Sequence, residues 1–306
     1  MQRALELAER GRGKVRDHPL VGAVVVADGD VVGEGWYEYD AVDHAETVAL
    51  AHAGERARGA TMFVTLEPCA HHGRTPPCAD AVAAAGVARL VVGALDPNPK
   101  AAGGVERLLA AGVEVDVVDS MDARRQNEAW RTWMALGRPH VTYKAAIALD
   151  GRVTVPGRRW VSGEESRRMV HELRAAVDAV AVGMGTVRAD HPRLDARDIG
   201  ATRQPRRLAF DHGETTLELR SGPLEDELQA LAAEGVQSLL LEGGPTLATA
   251  FLAAGLVDKL ILFVAPVVAG DGPRFVGDLP EPLRLSGMRA RAVGEDVLLE
   301  GYLREP

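Results

Sequence analysis

Thr65-Leu66-Glu67-Pro68-Cys69-Ala70-His71-His72-Gly73-Arg74-Thr75-Pro76-Pro77-Cys78 is the stretch on which the fold of this chain turns. It leaves a strand-like run, Thr61 to Leu66, that ends on Glu67-Pro68-Cys69, and its second cysteine opens a short Ala-rich helix stopping at Gly86. Strand, loop and helix in that order are a unit of an α/β sheet. The two cysteines are the only ones in the chain, and each follows a proline. Two thiols nine residues apart fit either a small core pair or a metal, while a disulfide is disfavoured in a reducing compartment.

Outward from this stretch the periodicities alternate. Residues 4–10 read as a helix stopped by Gly11 and Gly13, and 20–26 and 31–36 read as strands around the turn Ala27-Asp28-Gly29-Asp30. A helix over 44–57 closes at Gly59; strands at 89–95 and 113–118 flank a helical stretch at 105–111. Residues 1–118 therefore read as one three-layer α/β domain. Residues 119–138, rich in charge and amide with Trp130 and Trp133 at helical spacing, read as a connecting helix. Pro139 opens a second α/β block, 139–306, with strands expected at 141–149, 177–182, 207–210, 236–241 and 259–264 and helices at 164–174, 224–234 and 246–254.

A length of 306 residues suits two domains of roughly 150 residues each. Apolar residues are 46% and aromatics 4%, so the cores must be filled by Ala, Val and Leu. The formal charge of −9 argues against a nucleic-acid partner, although local arginines could hold single phosphates. No apolar run approaches the roughly 18 residues of a membrane span, and the start of the chain lacks the apolar core of a signal peptide, so a cytoplasmic location is expected.

His44-Ala45-Glu46 stands 25 residues before Cys69. One imidazole and two thiolates suit Zn²⁺, and three protein ligands leave a fourth position for water. Glu46 is two residues from His44, a spacing that shares a face only where a helix begins; there Glu46 would carry protons beside the metal. Cys78 at a helix start has its thiolate favoured by the helix dipole. His-x-Glu with Pro-Cys is the pattern of zinc deaminases. A closed structural site recruiting His71 or His72 is the alternative, and it leaves Glu46 without a purpose. The other histidines, His52, His140, His171 and His212, read as ordinary surface or helix residues.

Two glycine turns in the second block could serve a cofactor. Gly183-Met184-Gly185-Thr186 follows a strand, but Arg188 breaks the dinucleotide fingerprint and the stretch reads as a turn. Glu242-Gly243-Gly244-Pro245-Thr246 joins a buried strand to a helix, whose free N–H groups can hold a pyrophosphate. A tight connection without a ligand is the alternative there.

The 65–78 stretch has eight residues between its cysteines where deaminases usually have two. With Pro19-Leu20-Val21-Gly22, His44-Ala45-Glu46 and Asp96-Pro97-Asn98-Pro99 it closely resembles the riboflavin-biosynthesis bifunctional deaminase/reductase family. The resemblance continues through Arg138 to Gly151, Trp160-Val161-Ser162, and Leu173-Arg174 to Ala179. It implies a cytidine-deaminase-like first domain and a dihydrofolate-reductase-like second one. The implied reactions are zinc-dependent deamination of a diaminopyrimidine ribosyl phosphate and then reduction of its ribose to ribitol by NADPH. Implied metal ligands are His44, Cys69 and Cys78, with Glu46 catalytic. Implied cofactor contacts are Ala146, Trp160, Thr186, Asp190, Gly244, Pro245, Thr246, Leu247, Ala248, Thr249 and Ala250, and implied substrate contacts are Arg174, Leu194, Arg197 and Glu242. Arg174 and Arg197 are of the right chemistry for a sugar phosphate, with surface ion pairing as the plain alternative. A small-molecule substrate and a homo-oligomer, dimer or tetramer, are expected.

Five positions depart from the family pattern. His18 stands in place of Asn, Tyr37 in place of His, Ala148 in place of Ser, His191 in place of an acid and Asp195 in place of a hydroxyl residue. The segment 211–224 is also short. Two alternatives therefore stay open: a deaminase with a degenerate second domain, and a nucleic-acid base deaminase, which needs a basic, aromatic-lined strand path.

Overall fold

The computed structural model describes residues 1–306 and divides into two units, Met1–Leu136 and Gly137–Glu305. The first contains α1 (Gln2–Glu9), β1 (Gly22–Ala27), β2 (Asp30–Trp36), α2 (Ala45–Ala53), β3 (Thr61–Val64), α3 (Cys78–Ala84), β4 (Arg89–Val92), α4 (Gly104–Ala110), β5 (Glu114–Val117), α5 (Met121–Gln126) and α6 (Glu128–Leu136). Its sheet runs β2-β1-β3-β4-β5, with β1 antiparallel to both neighbours and β3, β4 and β5 parallel. The hairpin turns through Asp28 and Gly29, both at positive φ, as a two-residue connection of right-twisted strands requires.

Small residues set the layer spacing. Ala23 and Val25 face Ala45, Ala49 and Ala53 of α2, and Ala79, Val82 and Leu108 bring α3 and α4 into the same buried layer. A Cβ on Gly33 or Gly35 would lie 2.1 Å from the carbonyl oxygens of Ala49 or Ala45, so α2 rests directly on the β2 backbone. On the opposite face Gly22 is covered by α1, and Gly93 meets Ala123 of α5. The expected three layers are present.

Residues 119–138 form two helices rather than one, broken at Asn127, and both lie in the first unit. The buried Asn127 side chain takes the Leu20 N–H at 2.8 Å and donates to the Leu20 carbonyl at 2.9 Å, replacing a strand partner. Asn127→Ala orphans both groups, and we expect it to cost about 1–3 kcal/mol, read as a lowered urea midpoint.

The second unit contains β6 (His140–Ala148), α7 (Glu164–Ala176), β7 (Ala179–Gly183), α8 (Met184–Asp190), β8 (Arg206–Phe210), β9 (Glu218–Arg220), α9 (Leu224–Ala233), β10 (Ser238–Leu241), α10 (Pro245–Ala253), β11 (Lys259–Ala265), β12 (Ser286–Val293) and β13 (Asp296–Tyr302). The sheet order is β12-β13-β11-β6-β10-β7-β8-β9, parallel from β11 to β9, with an antiparallel ribbon at the β12 edge. Val141, Tyr143, Ala145 and Ile147 of β6 pack with Leu231 of α9 and Phe251 of α10. Strand alternation sends Lys144 and Ala146 to the other face, where α7 lies.

Three elements differ from expectation. Gly183-Met184-Gly185-Thr186 is not a turn: Gly183 caps α8, whose propensity its glycine disguises. The shortened 211–224 segment still carries β9. The β12 edge of the terminal ribbon has no signature in the sequence, because it is exposed on both faces from Gly287 through Ala292 and so shows no inside-outside alternation. No helix is long and apolar enough to cross a membrane.

Candidate active sites: a metal centre and a buried ion cluster

His44 caps α2 with extended backbone, φ −76° and ψ 158°, and Glu46 falls in the first helical turn, where the two side chains can share a site. The Thr47 hydroxyl donates to the His44 carbonyl at 2.8 Å and fixes that start. Cys69 lies in the loop after β3, and Cys78 is the first residue of α3, behind Pro77. The Cys78 backbone N–H points at Cys69 Sγ, 3.3 Å away. His44 Nδ1 lies 3.1 Å from Cys78 Sγ and 3.7 Å from Cys69 Sγ, and the three ligand atoms all fall within 4.8 Å of one another.

This donor set fits zinc. Tetrahedral bonds to sulfur and imidazole nitrogen put ligand atoms about 3.6–3.8 Å apart, as His44 Nδ1 and Cys69 Sγ are, while the 3.1 Å to Cys78 Sγ would have to open by about half an ångström. His71 and His72 are exposed and outside the cluster, so no protein side chain completes a closed site. Hydrogen bonds from Cys78 and His44 pull the Cys69 thiol well below its ordinary range, while the same bond to Cys69, together with burial, pushes Cys78 up. Glu46 is 3% exposed, and burial lifts its carboxyl to about 7 against the attraction of His44. A carboxyl so poised both accepts and returns a proton.

Glu67, to which the sequence reading gives no role, clamps the loop. Its buried carboxylate accepts the N–H groups of Asp96, Gly103 and Val105 at 3.1, 3.0 and 3.1 Å. Arg107 of α4 holds the Ala70 carbonyl at 3.0 Å and pairs with Asp80 of α3. The Leu66-Glu67-Pro68 order, a carboxylate at a buried strand end, is the signal that could have found it. The unusual Tyr37 and His18 stand together beside the metal ligands: the Tyr37 ring meets His44 edge-on at 5.4 Å, and His18 lies 5.7 Å from Tyr37 and 5.2 Å from Tyr39. Replacing Cys69 by Ala removes a ligand, and we expect bound zinc to fall from one per chain to a small fraction after dialysis, measured by elemental analysis.

The second centre follows from register. Tyr143 pairs with Leu241 across β6 and β10, so Lys144 and Glu242 are adjacent on the α7 face. Glu242 is bonded to Arg174 of α7 through two atoms, at 2.6 and 2.9 Å, and to Lys144 Nζ at 2.8 Å. Burial alone would raise its carboxyl; the two cations overcome that and hold it at about 2. Lys144 is thus a site residue missed in sequence. It is one of four lysines in the chain, set inside a strand, which was the available signal.

Of the other expected contacts, Thr186 at the head of α8 accepts the Gly244 N–H at 3.1 Å, so α8 and α10 begin side by side at the carboxyl ends of β7 and β10. Pro245, Thr246, Leu247, Ala248, Thr249 and Ala250 form the first turns of α10, and Ala146 shares the face of Lys144. Leu194 is 2% exposed with φ +54°. Arg174 also donates to the Asp195 carbonyl at 3.2 Å, and Arg197 pairs with the Asp195 carboxylate. Trp160 is half exposed and lines a cavity of about 470 Å³, its ring flanked by Arg159 and Arg167. No bond joins Trp160 or Asp190 to the Glu242 cluster.

Comparison with known proteins gives the family of each unit. Residues 1–94 match the family described as the cytidine and deoxycytidylate deaminase zinc-binding region, and residues 139–299 match the RibD C-terminal domain. The riboflavin biosynthesis proteins RibD of Aquifex aeolicus and Escherichia coli are each 38% identical, over 98% of this chain and 96% and 97% of theirs. A solved Acinetobacter baumannii RibD is 36% identical with a TM-score of 0.83, covering 98% of this chain and 97% of that one. The Thermotoga maritima diaminohydroxyphosphoribosylaminopyrimidine deaminase/5-amino-6-(5-phosphoribosylamino)uracil reductase is 32% identical, also at 0.83, covering 99% and 97%.

Proposed function

This chain belongs to the RibD family of bifunctional riboflavin-biosynthesis enzymes, and from that membership we propose how its own residues divide two reactions. The first unit deaminates diaminohydroxyphosphoribosylaminopyrimidine; the second reduces the product, 5-amino-6-(5-phosphoribosylamino)uracil, with NADPH. The observation that carries this reading is the convergence of His44, Cys69 and Cys78 within 4.8 Å beside a buried Glu46.

His44, Cys69 and Cys78 would hold zinc, which would supply the Lewis acid that makes water acidic at neutral pH. Glu46 takes a proton from the attacking water and hands it to the departing ammonia, which its carboxyl near 7 permits. Tyr37 packs His44 from the side, and Glu67 fixes the cysteine loop, so the ligands need little rearrangement.

NADPH would supply a hydride to the ribose carbon, and the free N–H groups of Thr246 and Leu247 in the first turn of α10 would hold its pyrophosphate, the Gly244 N–H being taken by Thr186. Reduction also needs a proton. Arg174 does not release one and Glu242 is ionised, which leaves Lys144 as the donor of the cluster. This intact cluster speaks against a degenerate second domain, and a charge of −9 against a polynucleotide substrate.

We place the protein in the cytoplasm, since its thiolate ligands need reducing surroundings, and as a homo-oligomer, for which the doubly exposed edge strand β12 offers surface. The test is incubation with the diaminopyrimidine ribosyl phosphate with and without NADPH. Ammonia should appear in both, and NADPH should be oxidised only after ammonia begins to form. Zinc-loaded protein that releases no ammonia would overturn the reading.

A further inference from the structure

Residues 191–198 form a loop of unusual backbone. His191, Leu194 and Asp198 all have positive φ, at 45°, 54° and 63°, although none is glycine. Such a conformation persists only where its surroundings fix it. Here Leu194 is buried against Val180, Val182 and Leu240, while the Asp195 carbonyl is held by His171 Nδ1 at 3.0 Å and by Arg174 at 3.2 Å. His171, ordinary by sequence, is thus a latch on this loop.

The latch presents Asp195 in a particular way. One carboxylate oxygen bonds Arg193 at 2.8 Å and the other bonds Arg197, so a single anion bridges two guanidiniums. The Asp195 side chain is 18% exposed, Arg197 37% and Arg193 71%, which leaves the carboxylate shielded and the arginines facing solvent. Two guanidiniums converging on two oxygens is also how arginines hold a phosphate.

We propose that Asp195 is a built-in counter-anion of Arg197, which the phosphate of the substrate must displace on entering the second active site. The inference rests on the reading that Arg197 receives that phosphate. A phosphomonoester carries more charge and more acceptor oxygens than a carboxylate, so it wins the exchange; a substrate lacking the phosphate cannot make it. Asp195 therefore sets specificity: it lowers affinity for every ligand that needs Arg197 and, as the closer and better shielded of its two carboxylate partners, the exposed Asp198 lying 3.7 Å from Nε, keeps the arginine neutralised between turnovers. It acts through Arg197 and is a positioning residue.

The experiment uses the full chain and 5-amino-6-(5-phosphoribosylamino)uracil, following NADPH oxidation. Asp195→Asn keeps the shape and removes the charge, and should lower KM about two- to fivefold, the worth of a partly exposed ion pair, with kcat unchanged. The dephosphorylated riboside should respond equally to both proteins. Arg197→Ala should raise KM for the phosphorylated substrate alone. Quenching of tryptophan fluorescence by NADPH reports whether each variant keeps its second unit intact, and Asp195→Ser repeats the charge removal if the amide disturbs the loop. If Arg197→Ala raises KM while both Asp195 variants raise it or leave it unchanged, Asp195 merely supports the loop and the proposal is overturned with the phosphate reading intact. If Arg197→Ala leaves KM unchanged, the premise fails and the proposal with it.

Discussion

Replacing Glu46 by Gln should reduce ammonia release by about 10²–10⁴-fold or more, since the amide fits the same buried space but neither takes nor returns a proton. Zinc content should stay at one per chain, because His44, Cys69 and Cys78 are untouched. NADPH oxidation should be normal when the deaminated intermediate is supplied. The loss should fall on kcat rather than KM, which separates proton transfer from binding. A variant that keeps more than a tenth of the wild-type kcat would show that the proton travels another way.

Replacing Lys144 by Met is the counterpart in the second unit. Glu242 keeps its two bonds to Arg174, so the ion cluster loses one cation without leaving the carboxylate unpaired. The expected result is a fall of about 10²–10⁴-fold in the kcat for NADPH oxidation, with NADPH affinity and ammonia release unchanged. A change confined to KM would make Lys144 a binding group and move the proton donor elsewhere.

The two centres differ in how far the sequence exposes them. The metal site is legible because its chemistry is written in residue types that have few other uses: two cysteines behind prolines, and a histidine whose distance from Glu46 makes sense only at the start of a helix. The ion cluster is not legible in that way. Lys144 becomes a neighbour of Glu242 only through the register of β6 with β10, a long-range fact that no local window holds. Glu67 is hidden for a similar reason, since its three partners lie 29 to 38 residues away. The fold shows the same division. Elements with one buried face, such as α1 and α7, declare themselves by period, whereas β12 has no buried face to declare and α8 is masked by Gly185.

The contact between β2 and α2 has a consequence for how this enzyme can change. Gly33 and Gly35 touch none of the three metal ligands, yet they are the bearing surface on which the helix carrying His44 and Glu46 is seated. A methyl group at either position would jack that helix away from the sheet and carry both side chains off the cysteines, which are anchored separately through Glu67 and Arg107. The alignment of the catalytic machinery is thus governed by two residues with no side chains. Mutational drift at these sites should be purged as severely as drift in the ligands themselves, while the exposed Ala51 on the outer side of α2 remains free to vary.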